Sequence, residues 1–161
     1  KSLKITNREI TTRCAVCLRQ IPSGICFLNK TYKENYMNIL FISAASSIHT
    51  GRWVNALVEK GNQVTLVSLP DHQVHQNKIN SNVQIEYLPF YGNKGYYFNA
   101  FALRKIYKKR KPDIVNVHYA SGYGTLARIA KIPDTILSVW GSDVYDFPYQ
   151  SKWKMKVING T

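Results

Sequence analysis

The sequence predicts an α/β fold: a Rossmann-like, three-layer arrangement in which a parallel sheet lies between helices. Three observations carry that expectation. Short apolar, β-branched runs recur from residue 38 onward, segments of helical periodicity separate them, and the connections are short. Strands that alternate with helices in this way imply right-handed crossovers and a sheet buried on both faces.

The elements follow in order. NILFIS (38–43) is an apolar run suited to a buried strand. TGRWVNALVEKG (50–61) places Trp53, Val54, Leu57 and Val58 at helical spacing, and Gly61 suits the helix end. QVTLVSL (63–69) and VQIEYLP (83–89) read as the second and third strands. FNAFALRKIYKKRK (98–111) is helical and stops at Pro112, which can neither donate the next hydrogen bond nor leave its predecessor helical. DIVNVHY (113–119) is a fourth strand, GYGTLARIAK (122–131) a short helix, and TILSVWGSD (135–143) a strand that closes the series.

Composition narrows the function. With 45% apolar and 19% charged residues the chain is an ordinary globular protein. No stretch of about 18 apolar residues is long enough to span a bilayer, and the first twenty residues lack the apolar centre of a signal peptide. A cytoplasmic protein, with possible peripheral contact at the inner membrane face, is expected. The first methionine is Met37, directly before the first strand. Residues 1–36 show no sustained periodicity and read as a poorly ordered basic extension; one interpretation makes Met37 the natural start, the other makes the extension genuine. Residues 37–161 then form the folded domain. Cys14 and Cys17 have CxxC spacing, but with Cys26 they supply three ligands where a closed zinc site needs four, and no thioredoxin-like pattern surrounds them. No metal or cofactor is expected.

Net charge is +13, and six of the basic residues fall in RKIYKKRK, 104–111. Such a block suits an anionic partner, or else a solvated helix end that complements the helix dipole. On a helical wheel Ala100, Ala102, Leu103, Ile106 and Tyr107 share one face, with Arg104, Lys105, Lys108, Lys109 and Lys111 opposite. Phe98 and Phe101 fall among the cations. Aromatics mixed with Lys and Arg suit anionic lipid headgroups, and GYY at 95–97 extends the surface. The alternative is that both Phe side chains pack under a neighbouring loop.

In open parallel sheets ligands bind beyond the carboxyl ends of the strands. Three loops lie there: SAASSIHT, HYASGYG and WGSDVYDFP, all rich in hydroxyls, histidine, glycine and aromatics. The first has the strand–loop–helix layout of a phosphate site but lacks GxGxxG, so a tightly held dinucleotide is not expected. Ser46, Ser47, His49 and the helix start near Thr50 offer hydroxyls and backbone N–H groups instead. Tyr119, Ser121, Tyr123 and Gly124 line the second loop and offer aromatic faces, hydroxyls and backbone groups for hydrogen bonding. Arg52, His72 and His75 read as surface residues.

Taken together, ILFISAASSIHTGRWVNALVEKGNQVTLVS, PDIVNVHYASGYGTLARIAKIP and ILSVWGSDVYDFP resemble the N-terminal, acceptor-side half of a GT-B glycosyltransferase of the retaining family 4. The resemblance covers about residues 37–153. It implies hexosyl transfer from a nucleotide-sugar co-substrate to a glycan or lipid-linked acceptor, as in cell-envelope polysaccharide synthesis. It also implies that the donor is held mainly by a C-terminal domain, so the chain would be an incomplete, truncated half and inactive alone. It places a functional histidine at His118, touching donor sugar or acceptor. Asp143 of GSD, with Gly141 and Ser142 beside it, would orient an acceptor hydroxyl or pair with a cation; an Asx-turn or helix cap is the other reading. The first loop departs from many relatives in lacking a Gly-Gly pair. Two rivals stand beside this reading: a non-catalytic basic module binding anionic membrane or nucleic acid, the latter the less expected partner, and a small nucleotide-binding regulator using the first loop.

Overall fold

The computed structural model of the chain describes residues 36–74 and 78–161. The basic first segment with its three cysteines, and His75, lie outside the described residues. Five strands form one all-parallel sheet: β1 (Asn38–Ile42), β2 (Gln63–Ser68), β3 (Gln84–Tyr87), β4 (Ile114–His118) and β5 (Thr135–Ser138). Their spatial order is β3-β2-β1-β4-β5. The expected α/β, Rossmann-like class is what the chain adopts.

Alternation along β1 divides the core in two. Leu40 and Ile42 join Val67, Leu103, Val117 and Leu126 on one face; Ile39 and Phe41 join Val54, Val64 and Leu66 on the other. Helix α1 (Ile48–Glu59) covers the second face through Val54, Leu57 and Val58. It ends as the sequence implied, with Gly61 at φ +86°, a left-handed position where a side chain would be strained.

The first face is covered by α3 (Ala100–Arg110) and α4 (Thr125–Ile129). In α3 the packed residues are Ala100, Ala102, Leu103, Ile106 and Tyr107, the face the wheel assigns to the core. Its end differs from a plain proline stop: Lys111 takes φ +47° and donates its N–H to the Tyr107 carbonyl at 2.9 Å before Pro112. The last basic residue of the helix, Arg110, turns back to β3, its Nε 2.6 Å from Glu86 Oε1. That contact ties the end of α3 to the edge strand β3.

Three expectations need correction. The helix expected at 98–111 begins earlier, as a separate α2 (Gly92–Phe98) joined to α3 through Asn99. Asn99 is buried, and its amide both donates to and accepts from the Phe90 backbone, which fixes the break. The strand expected over 135–143 stops at Ser138, and Gly141–Tyr145 forms α5. Asp143 causes this by accepting the Trp140 N–H at 2.8 Å, the reach-back of a helix first turn. The helix expected at 122–131 is a π turn over Ala120–Gly124 followed by the short α4. A last helix, α6 (Lys152–Asn159), starts at Ser151, whose Oγ accepts the Lys154 N–H at 3.2 Å.

Candidate functional site

Strand order reverses between β1 and β4: from β1 the chain moves outward to β2 and β3, whereas β4 leads the other way to β5. The loops after these two central strands therefore diverge and leave a crevice at their carboxyl ends. A cavity of about 580 Å³ occupies that edge. Ser46 and Ser47 line it from the first loop, His72 from the loop after β2, and Tyr119, Ser121 and Tyr123 from the turn after β4. Tyr96 and Tyr97 of α2 and Trp153 and Lys154 of α6 complete the wall.

Tyr123 locks the loops around this cavity. Its ring is buried, and its hydroxyl lies 2.8 Å from His72 Nδ1, accepts the Leu69 N–H at 3.1 Å and lies 3.3 Å from Ser68 Oγ. Ser68 Oγ in turn accepts the Ala45 N–H at 3.0 Å, so the segments after β1, β2 and β4 share one network. Tyr96 stands edge-on to Tyr123 at 5.3 Å, and burial raises its phenol to about 12, so the ring faces ligands as a neutral hydroxyl.

Beside the cavity His118, the last residue of β4, sits inside an aromatic cluster. Phe41 meets it edge-on at 4.6 Å, Trp140 at 5.4 Å and Trp53 at 6.3 Å. His49 stacks on the outer side of Trp140 at 4.5 Å. Burial, with His49 nearby as a lesser cause, lowers the His118 pKa from 6.5 to about 4, so the imidazole is neutral at physiological pH. Both of its nitrogens, and Trp140 Nε1, are buried without a hydrogen-bond partner. Unpaired buried polar atoms are uncommon, and they concentrate where function requires them.

The turn after His118 is strained. Tyr119 adopts φ +68°, unusual for a residue with a side chain. Asp143 holds that turn: buried to 3% exposure, it accepts the Ala120 N–H at 2.6 Å through one oxygen and the Trp140 N–H through the other. One carboxylate thus ties the loops after β4 and β5 together, and charge-assisted bonds of this kind are the strong ones.

A sequence model of the family described as "Glycosyl transferase 4-like" matches residues 38–160, the stretch that builds the sheet and every loop just described. The chain belongs to that family. Comparison with curated proteins gives no significant match.

In this glycosyl transferase 4-like domain the expected site residues divide into groups. Ser46, Ser47, Tyr119, Ser121 and Tyr123 reach the cavity, whereas His49 and His118 lie in the aromatic cluster. Thr50 and Gly124 do not face the cavity. The Thr50 hydroxyl is buried 2.8 Å from Ser43 Oγ, and a Cβ on Gly124 would run into Thr161 and Leu137 on the far side. Gly141 and Ser142 are exposed at the start of α5, apart from the cavity lining. Asp143 serves the cap, the second of its two sequence readings, and spans to Ala120 as well. Phe98, Phe101, Arg104, Lys105, Lys108 and Lys109 are all exposed. His72, read as a surface residue, is a cavity residue; Arg52 is exposed as expected.

Trp140, Tyr96, Trp153 and Lys154 went unrecognised as site residues. Trp140 carried a signal, an aromatic next to the GSD turn; Trp153 could have been found only through the Ser151 cap that starts α6. A cavity of about 690 Å³ at the opposite, amino-terminal edge includes among its lining side chains ones already paired with backbone or with one another, such as Asn38 with the Arg110 carbonyl. Among the described residues no three His, Cys, Asp or Glu side chains gather as metal ligands would, and no helix is long and apolar enough to cross a membrane.

Proposed function

We propose that this domain is the acceptor-side half of a retaining hexosyltransferase. It would take a sugar from a nucleotide-sugar held by a second α/β domain and pass it to an acceptor in the cavity, on the cytoplasmic side of a cell-envelope pathway. The observation that carries the reading is His118: a neutral imidazole with two unpaired nitrogens at the switch point of a glycosyl transferase 4-like fold. A neutral imidazole can accept one hydroxyl proton and donate to another oxygen, which suits a polyhydroxylated ligand. Because Trp140 covers it edge-on, contact with a sugar requires the indole to turn aside. Tyr96, Tyr119 and Trp153 offer the flat faces on which pyranose rings stack, and Ser46, Ser47 and Ser121 offer hydroxyls. Asp143 acts as a positioning residue that fixes His118 through the turn it holds. No metal or resident cofactor enters this reading.

Calorimetry of the full chain with two ligand sets tests it. Saccharide acceptors binding while uridine and guanosine diphosphates do not is the expected result. Tight nucleotide binding with no saccharide binding would favour the nucleotide-binding regulator.

A second reading, docking of the same domain on anionic membrane, is favoured by Phe98 and Phe101, which are 64% and 82% exposed beside Arg104, Lys105 and Lys108. Binding to phosphatidylglycerol vesicles that salt abolishes and saccharides do not affect is its signature. Equal binding to an oligonucleotide would point to nucleic acid instead.

A further inference from the structure

His72 sits on a loop, yet three hydrogen bonds fix it. Its backbone N–H donates to the Leu69 carbonyl at 3.1 Å, its carbonyl accepts the Ser46 N–H at 3.1 Å, and its ring Nδ1 lies 2.8 Å from the Tyr123 hydroxyl. The same network decides which ring nitrogen carries the proton. The phenol oxygen already accepts the Leu69 N–H, and burial pushes its pKa well up, so it keeps its own proton. Ser68 Oγ accepts the Ala45 N–H and directs its proton at the His72 carbonyl, 3.4 Å away. His72 Nδ1 is therefore the acceptor for the phenol proton, and the neutral imidazole carries its hydrogen on Nε2. Nε2–H is the donor that His72 can offer to the cavity it lines.

Charge on the cavity wall has one sign. No Asp or Glu stands among the described residues that line it, and Lys154 is the only Lys or Arg there. Lys154 is half-buried, with its Nζ bonded to Gln150 Oε1 and 5.0 Å from the centre of the Phe147 ring, so the cation is held in place. Asp71, next to His72 in the chain, has its carboxylate on the Gly92 N–H at 3.0 Å. A wall with one held ammonium, one fixed imidazole N–H and no carboxylate favours a ligand that brings a negative charge of its own. One ammonium balances the single charge of a carboxylate. A phosphate dianion would ask for a second cation or a glycine-lined backbone cradle, and the first loop, SAASSIHT, has no glycine.

We propose that the saccharide taken by this cavity is acidic, a sugar unit bearing a carboxylate, with His72 Nε2–H and Lys154 as the groups that select it. This rests on reading the cavity as the acceptor site and adds a charge to an acceptor whose sugar that reading leaves open. Tyr123 is the positioning residue, since its hydroxyl fixes the His72 tautomer. A neutral glycoside fits the same cavity but leaves the ammonium without a counter-charge, so the carboxylate should raise affinity about 10-fold.

Calorimetry of the full chain tests this with two pairs of probes, methyl glucuronide against methyl glucoside and methyl galacturonide against methyl galactoside. Salt at about 150 mM screens the general attraction of a +13 chain for anions. At least one uronide should bind about 10-fold more tightly than its neutral partner. Lys154→Met, which keeps the apolar stem, should bring that ratio to about 2-fold or less. His72→Asn should lower it as well, because the shorter amide can still accept from Tyr123 but does not reach as far as Nε2. His72→Gln places an amide N–H close to the Nε2 position and should restore most of the preference. The ratio is read within each variant, so a general loosening of the site cancels, and melting temperatures are measured alongside. Equal binding within both pairs, or a preference that survives Lys154→Met and His72→Asn, overturns the acidic saccharide and leaves a saccharide site standing. Equal loss in His72→Asn and His72→Gln makes His72 structural and overturns its part. Tighter binding of glucose or galactose 6-phosphate than of either uronide assigns the charge to phosphate and overturns the carboxylate. Binding of no saccharide at all overturns both this inference and the acceptor reading.

Discussion

His118 and Asp143 show how two buried polar residues, close in space, do opposite things. Asp143 is fully engaged with backbone and holds a strained turn, so its removal leaves Ala120 and Trp140 N–H groups unpaired. Asp143→Ala should lower stability by about 3 kcal/mol, read from urea unfolding, since each bond to a charged group contributes roughly 1.5–3 kcal/mol. Loss of less than about 1 kcal/mol would show that the carboxylate does not hold the turn. The His118 imidazole makes no hydrogen bond and contributes packing alone. Its folded pKa of about 4 lies below the unfolded 6.5, so the unfolded chain binds more protons between those values. Stability therefore falls as pH drops from 6.5 toward 4, by up to about 1.4 kcal/mol per pH unit from this group. His118→Phe should abolish that component of the acid sensitivity and keep or raise stability at pH 7, because an apolar ring of similar shape suits an apolar cage. A residue whose replacement stabilises the fold while weakening saccharide binding is one retained for function. Unchanged acid sensitivity in the variant would contradict the neutral, buried imidazole.

At the scale of elements, the loops around the cavity depend on one hydroxyl. Tyr123→Phe removes the partner of His72, Leu69 and Ser68 and should destabilise by about 1–3 kcal/mol. Exchange of the Leu69 amide should quicken if that hydroxyl closes the network. The surface shared by α2 and α3 makes a separable prediction. Phe98→Ser with Phe101→Ser should leave the melting temperature within a degree or two, since both rings are exposed, yet reduce binding to anionic vesicles several-fold. Retained binding would assign the attraction to the cations alone. The elements legible in the sequence were those with an unbroken period: β1, β2, β3, β4, α1 and the core face of α3. What stayed hidden depended on a single side chain reaching across sequence. Asn99 splits α2 from α3 by pairing with Phe90, and Asp143 converts the expected end of β5 into α5. Periodicity contains neither bond.

For the whole molecule, topology converts scattered loop motifs into one edge. The order β3-β2-β1-β4-β5 brings residues from the loops after β1, β2 and β4 together with α2 and α6, although they span more than a hundred positions. The site was therefore legible as a set of loops, and His118 as a strand end, before any geometry was known. Its depth was not: that His118 lies under Trp140, and that His72 faces the cavity, follow from packing between segments distant in sequence. The family match fixes glycosyl transfer as the chemistry around which this edge is read. Mapping where a saccharide binds tests that reading most directly. Amide chemical shifts of the full chain, titrated with methyl glycosides and their phosphate esters, should move first at Ser46, Ser121 and Gly122 and on the Tyr96 side of α2, with the Trp140 indole N–H following as it leaves His118. Shifts confined to the amino-terminal edge around Asn62 and Arg110, or none in any titration, would contradict an acceptor site at the carboxyl ends of β1 and β4.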